Sequence, residues 1–165
     1  LLTLFLLPAI IAWAHAEGHD ITLIETMPMG EIGEDRTNQF LSLEKVRREL
    51  QSFWTLEDLP DRTGGPARYV RVKETGGRLG FITPLTSNFC DGCNRVRVTC
   101  SGELFMCLGR QQRVDLRAAL REGGEGALSA ALDEAMRLKP FGHDFENVYK
   151  GTAEGPRRFM SATGG

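Results

Sequence analysis

Apolar residues crowd the first fourteen positions of the chain and then fall into helical and strand-like rhythms separated by glycine-rich turns. Leu1 to Ala14 is apolar at nearly every position, and Ile10 to Glu17 reads as the end of a helix that Gly18 stops. Ile21 to Met27 reads as a strand closed by Pro28 and Gly30; a nearly continuous apolar strand directly after a helix predicts a parallel α/β sheet. Glu31 to Asn38 is polar and reads as a loop. Ser42 is placed to cap a helix over Leu43 to Leu50, with Leu43, Val46 and Leu50 on one face. Asp61 to Pro66 is turn material, and Arg68 to Glu74 and Leu79 to Thr83 alternate around the turn Thr75 to Arg78, which predicts an antiparallel hairpin.

A second hairpin follows. Val96, Val98 and Cys100 alternate with Arg95, Arg97 and Thr99, the chain turns at Ser101-Gly102-Glu103, and Leu104 to Leu108 returns. The phase of this alternation places Val96, Val98 and Cys100 on an apolar face, with Cys100 as a small buried hydrophobe. Asp115 is expected to cap a short helix to Arg121. A second helix after Glu125-Gly126 ends before Pro140, with Leu128, Leu132, Ala135 and Met136 as its buried stripe. From Gly142 the chain reads as polar and irregular, and there is no internal repeat.

Leu1 to Ala14 imitates the core of a secretory signal, and Ala14-His15-Ala16 a cleavage site, but no positively charged region precedes it, so a buried helix is the expectation. The stretch is also short of the roughly 20 apolar residues that span a bilayer. A first residue that is not Met hints at a fragment. With 20 Lys and Arg against 22 Asp and Glu, the net charge of −2 excludes a globally basic nucleic-acid binder while permitting a local basic site.

Candidate chemistry gathers around the cysteines. Cys90, Cys93, Cys100 and Cys107 all lie in one short window, which favours reduced, metal-binding thiols over the dispersed staples of a disulfide scaffold. Cys90 and Cys93 form a Cys-x-x-Cys pair, and Cys107 returns on the second hairpin. Three thiolates without an obvious fourth ligand suit an iron–sulfur cluster with one open iron. Spacing alone also leaves open a structural zinc site, closed by Cys100 or His143, and a thiol–disulfide redox pair. Arg95 and Arg97 lie two apart on a strand, so both project to one side, where guanidinium groups can bind phosphate or carboxylate.

The stretch Phe81-Ile82-Thr83-Pro84-Leu85-Thr86-Ser87-Asn88-Phe89-Cys90-Asp91-Gly92-Cys93-Asn94-Arg95-Val96-Arg97 resembles the carboxy-terminal cluster signature of the GTP 3′,8-cyclases, the radical S-adenosylmethionine family known as molybdenum cofactor biosynthesis protein A. Four further pieces match in order: Ile24 to Pro28, Gly102 through Leu108, Lys139 to Phe145, and the terminal Gly164-Gly165. The resemblance runs from about Ile10 to the last residue. It implies that Cys90, Cys93 and Cys107 hold a second [4Fe–4S] cluster whose open iron meets the guanine ring of GTP. It also implies that Arg95, Val96 and Arg97 line the GTP site, that Met27 contacts S-adenosylmethionine through its backbone, and that Gly164 and Gly165 form a tail reaching the active site. In the family, a 5′-deoxyadenosyl radical abstracts hydrogen from the GTP ribose, and the ribose radical attacks C8 of the base. This lyase reaction begins molybdenum cofactor synthesis.

The chain departs from the family pattern in one decisive respect. The first cluster, which cleaves S-adenosylmethionine, uses a CxxxCxxC motif, and no cysteine precedes Cys90. Leu1 to Ala9 is not placed by the resemblance, and Thr22 stands near where some members carry an arginine. His143 reads as a hydrogen-bonded structural residue. The expected architecture is the carboxy-terminal part of an incomplete parallel (β/α) barrel of the radical S-adenosylmethionine type, followed by an antiparallel hairpin and a helical cap bearing the cluster. The expected segments are 1–42 for the last barrel elements, 43–145 for the cluster-binding domain and 146–165 for the tail. The chain is expected to be cytoplasmic and to bind GTP but neither nucleic acid nor membrane, with the full-length enzyme a homodimer. Alone it is expected to be inactive, for want of the radical-generating cluster. The competing expectation is a non-catalytic zinc-binding module.

Overall fold

The computed structural model describes residues 2–30, 39–61, 63–87 and 89–163. They fall into two compact units, one made of Leu1–Thr26 with Gln39–Phe89 and the other of Met27–Asn38 with Cys90–Gly165.

In the first unit, helix α1 (Leu2–Ala16) takes in the whole apolar opening, Pro8 included. Its end agrees with the helix end read at Ile10 to Glu17, and the apolar stretch before Ile10 is helical with it from Leu2. Gly18 ends it in the left-handed region at φ 76°, and the His19 N–H returns to the Ala14 carbonyl at 2.8 Å. The helix is apolar on every side but buries only a stripe: Ile11 and Ala14 are buried, while Phe5 and Trp13 are 81% and 63% exposed. His15, in its last turn, lies under the first hairpin, with Nδ1 2.6 Å from Thr75 Oγ1 and Nε2 3.2 Å from the Arg78 carbonyl. Its ring presses on Gly77 so closely that any Cβ there would overlap it.

Strand β1 (Ile21–Ile24) follows, then helix α2 (Leu43–Leu50) and strands β2 (Leu56–Asp58), β3 (Arg68–Val72) and β4 (Arg78–Ile82). The sheet order is β1-β4-β3-β2. The predicted hairpin is the antiparallel β3–β4 pair, and β1 runs parallel to β4 with Ile21 opposite Leu79 and Ile24 opposite Ile82. The fold is thus mixed α/β, and β1–β4 is the single parallel pairing among the described residues. Strand β1 is shorter than expected and alternates, with Ile21 and Leu23 half-buried and Ile24 57% exposed. Leu43, Val46 and Leu50 are buried as predicted, in one core with Ile11, Val70, Val72, Leu79 and Phe81. Burial of such side chains contributes roughly 1.5–3 kcal/mol each.

The cap on α2 differs from expectation. Ser42 occupies the N-cap position but makes no side-chain cap hydrogen bond. The Leu43 N–H donates instead to Glu25 Oε1 at 3.0 Å. Glu25 is only 2% exposed, and its other oxygen accepts the N–H groups of Leu85 at 2.9 Å and Thr86 at 3.0 Å. The Thr86 hydroxyl also donates to Oε1. One carboxylate thus ties the start of α2 to the loop after β4.

In the second unit a 3-10 turn, Cys90–Gly92, leads to strands β5 (Arg97–Val98), β6 (Glu103–Phe105) and β7 (Arg113–Asp115), an antiparallel sheet in the order β5-β6-β7. Gly102 turns the predicted hairpin at φ 82°; a Cβ on it would stand 2.7 Å from Arg117 Cβ. Helix α3 (Leu116–Leu138) is capped as predicted, Asp115 Oδ1 accepting the Ala118 N–H at 2.8 Å, and it kinks at Gly124, where the sequence separates two helices. Its expected stripe is corrected by the structure. Ala135 is fully buried with Leu104 and Met106, whereas Leu132 and Met136 are 40% and 47% exposed. Three-residue strands are too short to cover so long a helix. The supposedly irregular end contains helix α4 (Phe145–Tyr149) and a 3-10 turn, Met160–Thr163.

Candidate cluster and nucleotide site

The three cysteines that the sequence singles out as ligands all lie in the second unit. Cys90 opens the 3-10 turn and Cys93 directly follows it, its N–H donating to the Cys90 carbonyl at 3.0 Å. Cys107 lies two residues beyond β6. All three are free and half-buried, whereas Cys100 is free and exposed. Burial pushes the Cys107 thiol above its ordinary pKa; the Gly109 N–H and the Lys139 ammonium pull it back, while Cys90 and Cys93 reinforce the rise. The three thiols therefore lie within electrostatic reach of one another. Among the described residues no three His, Cys, Asp or Glu side chains converge as a group able to hold a metal ion.

Strand β5 has the opposite phase to the one expected from hydrophobicity. Arg95, Arg97 and Thr99 are half-buried, while Val96 and Val98 are 38% and 56% exposed and Cys100 faces solvent. The expected buried place for Cys100 is thus wrong. The inward side of this strand carries the cations, close enough for Arg97 to depress the pKa of Arg158.

Residues without any motif spacing hold the cysteines in place. Lys139 Nζ donates to the carbonyls of Arg95 at 3.1 Å and Met106 at 2.8 Å, joining the residue two beyond Cys93 to the residue before Cys107. Gly142 lies against Cys90, and a Cβ on it would stand 3.1 Å from Sγ. Arg110 fixes that segment through the Gly142 carbonyl and Asp144 Oδ2, both at 3.1 Å. His143 is part of this backing. It stacks on Phe145 with ring centroids 4.6 Å apart, and Gly109 approaches so closely that a Cβ there would be 2.5 Å from His143 Cβ. Lys139, Arg110 and Gly142 all belong to or touch the segment 139–145, whose match to the family pattern was their only signal in the sequence.

Met27 is half-buried, and its carbonyl accepts the Met29 N–H at 2.9 Å. The loop it opens is packed on the carboxy-terminal segment: the Gly30 N–H donates to the Pro156 carbonyl at 2.8 Å, and Gly155 presses on the Pro28 carbonyl. Thr163 is buried, and its hydroxyl donates to the Met160 carbonyl at 3.0 Å. Gly164 and Gly165 lie outside the described residues.

Residues 19–145 match the family described as Molybdenum Cofactor Synthesis C. The chain belongs to this family. Among its curated relatives are the "GTP 3′,8-cyclase" of Erythrobacter litoralis (strain HTCC2594), 62% identical over 160 residues, and that of Caulobacter vibrioides (strain ATCC 19089 / CIP 103742 / CB 15), 61% identical over 160 residues. That of Brucella canis (strain ATCC 23365 / NCTC 10854 / RM-666) is 59% identical over the same length. The alignments cover 96% of this chain but 48%, 45% and 46% of those relatives, so the chain spans about half their length. The resemblance drawn from Phe81 to Arg97 and its companion pieces is borne out. No helix among the described residues is long and apolar enough to cross a membrane.

Proposed function

We propose that this Molybdenum Cofactor Synthesis C chain is the substrate-binding half of a GTP 3′,8-cyclase, with Cys90, Cys93 and Cys107 as the ligands of its second [4Fe–4S] cluster. The observation that carries the reading is the set of three free, half-buried thiols, with Lys139 fastened to the residue before Cys107 and Arg158 to Cys107 itself. Three thiolates without a fourth suit a cluster with one open iron, whereas a structural zinc ion is normally closed by four ligands. Exposure of Cys100 also removes it as a closing fourth ligand, which weighs against the structural zinc module.

When bound, the cluster supplies an open iron for the guanine base. The chain's own residues do the rest. Arg95 and Arg97 face inward with Val96 between them and offer the guanidinium forks that a triphosphate requires. In this reading Met27 is the backbone contact for S-adenosylmethionine, and Gly164-Gly165, which lie outside the described residues, are the di-glycine of the active-site tail. Strand β1, parallel to β4 at the edge of its sheet, is the remnant of the (β/α) barrel in this reading. The same reading makes the chain a cytoplasmic one, where thiols stay reduced, and the full-length enzyme a homodimer that engages neither nucleic acid nor membrane. Because no cysteine precedes Cys90, the chain alone does not turn GTP over.

Anaerobic reconstitution with iron and sulfide, followed by iron, sulfide and zinc analysis with and without GTP, tests the reading. About four irons per chain and a spectrum that GTP perturbs are expected. Tightly held zinc without sulfide, indifferent to GTP, would establish the structural module instead.

A further inference from the structure

The carboxy-terminal segment brings a guanidinium to the third cysteine. Arg158 Nη2 donates to the carbonyl of Cys107 at 3.2 Å and of Leu108 at 2.5 Å, and Nη1 reaches Gln111 Oε1 at 3.3 Å. The guanidinium plane lies over the Phe105 ring at 4.3 Å, so both its edge and its face are engaged. Phe105, Cys107, Leu108 and Gln111 are the residues that carry the chain out of β6 and around the cysteine. A side chain from residue 158 thus fastens that turn on both sides of the ligand.

One atom is left over. Arg158 Nε is buried and has no hydrogen-bond partner among the described residues. A buried N–H left unpaired costs about 1–3 kcal/mol, and such groups are rare in folded proteins. A cation with a spare buried donor, fastened to the turn that carries Cys107, fits a site where negative charge and acceptor sulfur arrive together. A thiolate-ligated cluster is such a group. Hydrogen bonds to its sulfurs and nearby charge are the levers by which a protein sets its potential.

We propose that Arg158 is a positioning residue for the third ligand: it clamps the Cys107–Leu108 turn through its Nη groups and offers its Nε–H and charge to sulfur at that corner of the cluster. This rests on the cluster reading above. It also gives the carboxy-terminal segment a role upstream of its last two residues, because the same segment holds the Met27 loop through Pro156.

The test uses the whole chain as wild type, Arg158→Lys and Arg158→Met, each checked for folding by circular dichroism. Iron and sulfide analysis of the reconstituted wild type comes first, and failure to load there overturns the cluster reading. In loaded protein, Arg158→Met should lose iron to a chelator about 10–100-fold faster than wild type, with a more negative midpoint potential. Arg158→Lys, which keeps the charge and loses the fork, should fall between. Iron retention and potential equal to wild type in Arg158→Met would overturn the proposal. Metal-free protein supplies an arm independent of the cluster. There, Arg158→Lys should speed alkylation of Cys107 several-fold while exposed Cys100 is unchanged, and an unchanged Cys107 rate would refute the clamp even if the cluster assembles.

Discussion

Removal of the Glu25 carboxylate isolates the contribution of one buried anchor. Its oxygens accept three backbone N–H groups, from Leu43, Leu85 and Thr86, and the Thr86 hydroxyl besides. In Glu25→Gln one oxygen survives. If the amide oxygen stays with Leu85 and Thr86, the new NH2 group faces the Leu43 N–H, and the Thr86 hydroxyl can rotate to accept from it while donating its own proton to Ser42 Oγ, 3.1 Å away. One backbone donor is then orphaned, at about 1–3 kcal/mol. In Glu25→Ala all three are orphaned, so the cost rises to at least about 3 kcal/mol before water enters the gap. Both tryptophans, Trp13 and Trp54, belong to the first unit, and Trp54 packs against its core, so intrinsic fluorescence follows that unit alone. With a urea m-value of about 2 kcal/mol/M, a loss of about 2 kcal/mol lowers the midpoint by about 1 M for Gln, and the shift for Ala is larger. A Gln midpoint equal to wild type, or Gln as damaging as Ala, would refute this account of the carboxylate.

Further expectations concern the second unit. Asp115→Ala removes the cap on α3 and should cost about 1 kcal/mol in urea unfolding followed by circular dichroism. Lys139→Met leaves the Arg95 and Met106 carbonyls without their charged donor; a loss of about 2–3 kcal/mol in the same assay is expected. Gly142→Ala places a methyl group 3.1 Å from Cys90 Sγ and should lower iron uptake at limiting iron while the helical signal is unchanged. The fourth concerns pH. Burial raises the Cys107 thiol pKa in the folded chain, so the folded state holds that proton more tightly than the unfolded state does. Its contribution to stability is whole below the unfolded thiol value of about 8.5 and disappears as pH rises through the folded value. Urea unfolding of the reduced, metal-free chain across that range should show the decline, and Cys107→Ser should lessen it.

What could be read in the sequence was what rests on local signals. Both hairpins were legible because glycine turns separate alternating runs, and the α3 cap and break because Asp115 and the interruption between Arg121 and Glu125-Gly126 act within a few residues. The α2 cap was misassigned to Ser42 because its true acceptor, Glu25, is eighteen positions away in sequence. The phase of β5 was inverted because hydrophobicity sets phase only where the buried side is apolar. Here the inward side carries Arg95 and Arg97, and local rules fail most often at such sites. Three of the cysteines were legible from spacing, but the residues that fasten them were not. Nothing in a motif links position 158 to position 107, although the pair Arg157-Arg158 beside Phe159 is an unusual cluster in an otherwise polar tail.

The clamp on Cys107 also has a consequence in time. Arg158 is made 51 residues after the cysteine whose turn it fastens. At about 5–20 residues per second, several seconds of synthesis separate the two. Throughout that interval Cys90, Cys93 and Cys107 are already in the growing chain with their turn unfastened, exposed to oxidation and to whichever metal arrives first. If the three thiols hold a cluster as proposed, its insertion is best suited to follow chain completion, when the turn is fastened.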